Sequence, residues 1–217
     1  MARGRLILIE GLDRSGKSSQ AKILEERLRK SKLVKFPERS TKVGAIINEY
    51  LTRSDFQLSD QTAHLLFSAN RWELSSQILE WLHEGFFVVL DRYIYSGVAY
   101  SLAKLRAGLS TSPEMCDVNW LFGPDRGLPE PDATIFLTLP IEVLCERKGW
   151  GEERYEDKVF QQMVKECYIQ LLHSRHDPSI FIVDVESLGI DEVATKIWEI
   201  LQEKKLNVHT KDPIKSF

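Results

Sequence analysis

The stretch Gly11-Leu-Asp-Arg-Ser-Gly-Lys-Ser18 sets two glycines, a lysine and a serine at the spacing G-x-x-x-x-G-K-[ST]. These residue types suit a polyphosphate. Successive backbone N–H groups hold such an anion only where the chain curls tightly, and Gly11 and Gly16 permit dihedrals and clearance that a side chain would forbid. A helix starting near Gly16 would aim its N-terminal N–H groups and positive dipole end at the same anion. Lys17 can then reach the β- and γ-phosphates, and the Ser18 hydroxyl can reach Mg²⁺. The flanks have the required periods. Leu6-Ile-Leu-Ile9 is an apolar run of strand type, while Ala21, Ile23, Leu24 and Leu28 mark a helix to about Lys30. A glycine turn with a chance lysine is the bland alternative, and the complete pattern between matching flanks argues against it.

Further chemistry-bearing residues lie where other strands should end. Leu33-Val-Lys-Phe36 reads as a strand stopped by Pro37, leading into Glu38-Arg39. Phe86-Phe-Val-Val-Leu90 reads as a strand covered on both faces, stopping at Asp91-Arg92-Tyr93. An Asp in that place assists the metal in phosphate-loop folds, or simply caps the next helix. Arg39 and Arg92 present planar forks suited to a second phosphate, and Arg14 can meet charge on a migrating phosphoryl group. Phe67 and Arg71 are one helical turn apart, so one can stack on a base while the other donates to its edge. A core Phe and a surface Arg remain the bland reading of that pair. Arg147-Lys-Gly-Trp-Gly-Glu-Glu-Arg-Tyr155 has the glycine joints of a hinged flap, or of an exposed charged loop.

The elements that would position these residues alternate along the chain. The pattern predicts a helix capped by Ser40 or Thr41, a long helix from Ser59 or Asp60 to about His83, and another from Ile94 to about Leu105. Leu109 to Pro131 reads as a loop with at most one short helix. Pro131 to Leu139 is the fourth strand, followed by a short helix from Pro140. A helix from about Tyr155 to Ser174, a strand Ile180–Val185 and a helix from Ile190 to about Lys204 complete the set, and the tail from Asn207 reads as loosely held. The expected fold class is therefore α/β: a five-stranded parallel sheet flanked by helices, in one domain. Ligands should gather at the carboxyl ends of its strands.

Bulk composition limits the function. The 217 residues carry 29 Lys and Arg against 32 Asp and Glu, a net charge of −3, which gives no support to a nucleic-acid-coating role. Cys116, Cys145 and Cys167 show no metal-ligand spacing and fit a reducing compartment. No apolar run is long enough to span a bilayer, and Met1-Ala-Arg-Gly-Arg5 leaves no room for a signal peptide before the first strand. The expectation is a cytoplasmic protein without a membrane or nucleic-acid partner; a soluble nuclear pool would read the same.

Taken together, these motifs closely resemble the thymidylate (dTMP) kinases of eukaryotic, fungal type, nearly along the whole chain. The resemblance rests on the phosphate loop, Phe36-Pro-Glu-Arg-Ser40, His64-Leu-Leu-Phe-Ser-Ala-Asn-Arg-Trp-Glu73, Asp91-Arg-Tyr93 with Ser96-Gly-Val-Ala-Tyr100, and Gly151-Glu-Glu-Arg-Tyr-Glu156. It implies a phosphate-loop nucleoside monophosphate kinase fold and transfer of a phosphoryl group from ATP, with Mg²⁺, to dTMP. It also implies a homodimer and a flap near residues 147–161. By resemblance, Asp13 would bind the dTMP 3′-hydroxyl, Arg39 and Arg92 its phosphate, Phe67 and Arg71 its base. Tyr100 would crowd the 2′ position, and Phe36, Gly97, Tyr155 and Gln161 would complete the acceptor site. Gly11, Arg14, Ser15, Gly16, Lys17, Ser18, Ser19 and Arg147 would serve ATP, with Arg147 near the adenine. Ser18 would hold the metal, joined by Asp91 through water. Asp13, Arg14, Lys17 and Arg92 would be the catalytic set; Arg14 in the loop matches the eukaryotic type, in which Arg154 of the flap is not the main catalytic group. Asp117-Val-Asn-Trp120 through Asp125 departs from the family's usual Asp-Trp-Cys run.

Two alternatives stay open on sequence alone. A kinase for another nucleotide or a nucleoside would keep the loop and change the base pocket. A nucleotide-dependent switch would bind without turnover, though the N-K-x-D guanine signature is absent.

Overall fold

A computed structural model describes residues 2–147 and 154–217. Five parallel strands form one sheet in the order β2-β3-β1-β4-β5: β1 Leu6–Gly11, β2 Ser31–Lys35, β3 Phe87–Asp91, β4 Ala133–Thr138 and β5 Ile180–Asp184. The three central strands are apolar almost throughout because helices cover both faces, and β1 and β3 are buried along their whole length. The α/β expectation holds. So does the clustering of motifs: the phosphate loop, Phe36–Arg39 and Asp91–Arg92 all follow strand carboxyl ends.

Eight α-helices connect the strands among the described residues: α1 Lys17–Arg27, α2 Lys42–Thr52, α3 Asp60–His83, α4 Ile94–Arg106, α5 Val118–Phe122, α6 Ile141–Cys145, α7 Lys158–Ser174 and α8 Ile190–Glu203. Local chemistry sets several starts. The Thr41 hydroxyl accepts from Gly44 N at 3.0 Å, and Ser59 accepts from Thr62 N at 3.2 Å. Asp157 caps α7 by accepting from Phe160 N at 2.8 Å, so that helix begins at Lys158 rather than near Tyr155. β2 starts at Ser31, ahead of its apolar residues, because its ladder pairs Ser31 with Phe87.

Two expectations need correction. Residues 109–131 are not mainly loop. A 3₁₀ turn at Pro113–Cys116, then α5, then a second 3₁₀ turn at Gly123–Asp125, bury Met115, Leu121 and Leu128 completely. The tail is not loosely held either. Thr210 bridges Arg3, Ser216 bridges Pro129, and Phe217 exchanges backbone bonds with Gly127 and Leu128 at 2.9 and 3.0 Å. Phe217 packs against Tyr95 at 5.9 Å and lies under the Arg175 guanidinium at 5.2 Å. Periodicity missed this because the tail crosses loop backbone instead of offering a helical face.

Anchoring by Phe217 has a measurable consequence. Phe217→Ala should destabilise the fold by about 1–3 kcal/mol, since a half-buried aromatic loses its packing. Urea denaturation checks it; an unchanged midpoint would mean that the Phe217 ring contributes nothing.

Candidate functional site

A cavity of about 580 Å³ opens along the carboxyl edge of the sheet. Its floor begins with the phosphate loop. Gly16 adopts φ +95° at the first residue before α1, a left-handed conformation that favours glycine. Lys17 is buried beneath the loop, its Nζ donating to Leu12 O at 3.1 Å and lying 3.6 Å from Asp13 Oδ1. Burial pulls its pKa down to about 8, with Arg92 adding to the fall and Asp13, Asp91 and Glu10 resisting it. Arg14 is left-handed too, at φ 65°, and its Nε donates to Glu156 Oε1 at 3.0 Å. Arg147 donates to Arg14 O, which places its guanidinium over the phosphate loop itself.

Beside the loop sits a tight polar network. Arg92 Nη2 pairs with Asp13 Oδ1, and Arg92 Nη1 donates to Ser96 Oγ at 3.2 Å. The Tyr100 hydroxyl donates to Asp13 Oδ2 at 2.8 Å. Gln161 Nε2 bridges Tyr100 Oη at 3.2 Å and Tyr155 O at 2.9 Å. Burial would raise the Asp13 carboxyl, but Arg92, Lys17 and the Tyr100 hydroxyl hold it far below the ordinary carboxylate range. Burial also works against charge on Arg92, yet Asp13 and its other neighbours hold that group well above the ordinary arginine value. The Tyr100 phenol is pushed up, first by burial and then by the Asp13 charge, so it stays a donor.

The far end of the cavity is built by α3 and α4. Phe67 is half-buried, and Arg71, far from being a surface cation, is 2% exposed; both line the cavity. Gly97 borders the Arg71 guanidinium so closely that a Cβ there would sit 3.2 Å from its two terminal nitrogens. Arg39 stands exposed at the rim and donates to Asn48 Oδ1 at 3.0 Å. Phe36, buried, also lines the cavity.

Most of the expected residues therefore meet in one place: Asp13, Arg14, Gly16, Lys17, Ser18, Ser19, Phe36, Arg39, Phe67, Arg71, Arg92, Gly97, Tyr100, Arg147 and Tyr155 all line this cavity. Gly11, Ser15, Asp91 and Gln161 stand behind the lining. Residues 148–153 of the expected flap lie outside the described residues. Arg154 points elsewhere, donating to the carbonyls of Tyr50, Arg53 and Phe56 at 2.8, 2.8 and 2.9 Å around the end of α2.

Sequence reading missed several residues here. Lys104 lines the cavity, donating to Tyr50 Oη and Asp60 Oδ1, each at 2.9 Å; its signal was the i,i+4 spacing from Tyr100. His64 bonds Ser101 Oγ at 2.9 Å and Leu121 O at 2.8 Å, and burial lowers its pKa, keeping the ring neutral. Glu10, fully buried, accepts from Tyr93 N, Ser96 N, Ser96 Oγ and Tyr168 Oη at 2.7 to 3.1 Å, supporting the start of α4. A lone carboxylate ending an apolar strand was its only signal.

Metal-ion chemistry fits one corner. Ser18 Oγ donates to Asp91 Oδ2, while Asp91 Oδ1 is buried with no hydrogen-bond partner. An uncompensated buried carboxylate oxygen beside a phosphate-loop hydroxyl suits a divalent cation that takes its other ligands from water and phosphate.

The family model for thymidylate kinase matches residues 9–197. The chain belongs to the thymidylate kinase family. Thymidylate kinase from Schizosaccharomyces pombe is 41% identical over 212 residues, covering 95% of each chain. The human thymidylate kinase is 37% identical over 216 residues, covering 98% of this chain and 96% of its own. A solved thymidylate kinase from Candida albicans superposes with a TM-score of 0.96 at 54% identity, covering 100% of this chain and 99% of the other. A thymidylate kinase phosphorylates dTMP to dTDP with ATP, and one cavity here is lined both by the phosphate loop and by Phe67 and Arg71.

The buried lysine gives a pH test. If Lys17 meets the ATP polyphosphate, its protonated form is the one attracted, and above about pH 8 the ligand-free protein must first take up a proton. ATP affinity measured by calorimetry should hold below that pH and weaken progressively toward pH about 9.5. Constant affinity across that range would contradict a depressed Lys17.

Proposed function

We propose that the chain transfers the ATP γ-phosphoryl group to dTMP through the residues gathered in this cavity. The observation that carries the reading is the Asp13–Arg92–Tyr100 network set directly beside the phosphate loop. Lys17 and the loop N–H groups bind the donor polyphosphate. Arg92 and Arg39 hold the acceptor phosphate as planar forks. Asp13 fixes Arg92 and accepts the deoxyribose 3′-hydroxyl, while Tyr100 occupies the space a 2′-hydroxyl would need. Phe67 stacks on thymine and Arg71 donates to its carbonyl edge.

An acceptor phosphate is already anionic, so no general base is required. The barrier falls through alignment and through cations meeting the developing charge. Lys17, Arg14 and Arg92 supply that charge from this chain. Mg²⁺ belongs to the same proposal: Ser18 would hold it, with Asp91 through water, and when bound it neutralises phosphate charge and orients the donor. In this reading Tyr155 and Gln161 reach the acceptor and Arg147 the donor.

A homodimer is proposed as well. Leu65 and Trp72, two turns apart on α3, are 46% and 43% exposed, an apolar face that a second copy can cover. Cytosolic residence rests on three free cysteines, and among the described residues no helix is long and apolar enough to cross a membrane.

An ADP-release assay with ATP, Mg²⁺ and each nucleoside monophosphate in turn tests the reaction. The Candida albicans relative is described as broad in substrate specificity, so every acceptor is run. Turnover should favour dTMP over dCMP and AMP. Activity with another acceptor but not dTMP would discard the base-pocket assignment; binding without any turnover would favour a switch. Lys17→Met should fold and lose about 100-fold or more in kcat. Arg39→Ala should raise KM for dTMP about tenfold with little change in KM for ATP, which a nucleoside kinase would not show.

A further inference from the structure

Arg71 does not stand alone at the base end of the cavity. Its Nε and Nη2 donate to Asp125 Oδ1 and Oδ2 at 3.0 and 2.6 Å, a fork-to-fork pair. Ser68 Oγ donates to Asp125 Oδ1 at 2.6 Å. Asp125 has no exposed surface and does not itself line the cavity. It reaches Arg71 from the 3₁₀ turn Gly123–Asp125, which Trp72 Nε1 pins by donating to Pro124 O at 2.7 Å.

The pair consumes one edge of the guanidinium and leaves another. Nη1 has no acceptor among the described residues, and Arg71 borders the cavity beside Gly97. A bidentate carboxylate also fixes the plane of the guanidinium, so its remaining N–H groups, those of Nη1 among them, keep fixed directions. Every such group is a donor. Thymine presents a carbonyl oxygen at its 4 position, an acceptor; cytosine presents an amino group there, a donor. A donor that cannot rotate away favours the carbonyl base and leaves the amino base with an unmatched contact.

We propose that Asp125 is a positioning residue for base selection: by clamping Arg71 from behind, it aims a fixed donor at the 4-position of the pyrimidine and so favours dTMP over dCMP. The proposal rests on the reading that Arg71 meets the base. A charge pair that only fastened the segment 109–127 to α3 would stabilise the fold without touching base choice, and that difference is measurable.

Asp125→Asn keeps the shape and removes the charge. Steady-state kinetics with dTMP and dCMP as acceptors should show KM for dTMP raised roughly tenfold and the dTMP-to-dCMP preference narrowed roughly tenfold. KM for ATP should stay unchanged and kcat should move less than about threefold. A lowered melting temperature with KM for dTMP and the preference intact would overturn the proposal and leave Asp125 a fastener. Arg71→Lys is the companion variant, keeping the charge and losing the fork. If it leaves KM for dTMP and the preference unchanged, the base-pocket reading itself fails, and the proposal with it. If Arg71→Lys weakens dTMP but Asp125→Asn does not, only the role of Asp125 is lost. Should Asp125→Asn fail to fold, Ser68→Ala removes one donor from the same carboxylate oxygen. It should narrow the preference about two- to threefold, and an unchanged preference would overturn the proposal.

Discussion

Asp13 serves two cations with one oxygen: its Oδ1 pairs with Arg92 and lies 3.6 Å from Lys17 Nζ. Without a carboxylate there, two positive groups would face each other in a partly buried site, at a cost that grows as the dielectric falls. The surrounding backbone is shaped to keep the arrangement. Arg14 and Arg92 both take left-handed dihedrals, at φ 65° and 69°, each costing on the order of 1 kcal/mol for a non-glycine residue. Neighbouring bonds hold Arg92 in place: its N–H donates to Ile9 O at 3.0 Å, and Glu10 collects the N–H groups of Tyr93 and Ser96 immediately after it. Adjacent ends of β1 and β3 thus supply both the charges and the means of keeping them close.

The same logic extends along α4. Ser96, Gly97, Tyr100, Ser101 and Lys104 fall on one helical face, and each meets a different part of the cavity. Ser96 touches Arg92, Gly97 gives room to Arg71, Tyr100 bonds Asp13, and Lys104 joins the Tyr50–Tyr155 hydroxyl pair. One helix therefore runs from the Arg92–Asp13 end of the cavity to the Arg71 end, and fixes the distance between them. That is the positioning a phosphoryl transfer needs, because the reaction depends on alignment more than on covalent chemistry.

Legibility in the sequence followed the range of each interaction. The phosphate loop, the caps of α2 and α3 and the buried strands are set by residues within a few positions of each other, and their patterns could be read directly. Phe67 and Arg71 were legible as a pair on one face, but not as buried, because the carboxylate that makes burial of Arg71 tolerable lies 54 positions away. Glu10 gave only the weak sign of a lone carboxylate after an apolar run, and the pairing of Asp125 with Arg71 gave none, since each meets partners on other elements. Residues 109–131 read as loop from their glycine and proline content, yet three apolar residues among them are fully buried. The tail failed for a similar reason: it adds short backbone bridges to existing edges and carries no period of its own.

If Asp13 is what holds the catalytic cations in line, steady-state kinetics of Asp13→Asn with both substrates is the most direct measurement. The side chain keeps its shape and loses only its charge. The account predicts that kcat falls about 100-fold or more while the thermal unfolding midpoint shows the protein still folded. A kcat within about threefold of the unaltered protein would contradict it, because Arg92 and Lys17 would then need no carboxylate between them.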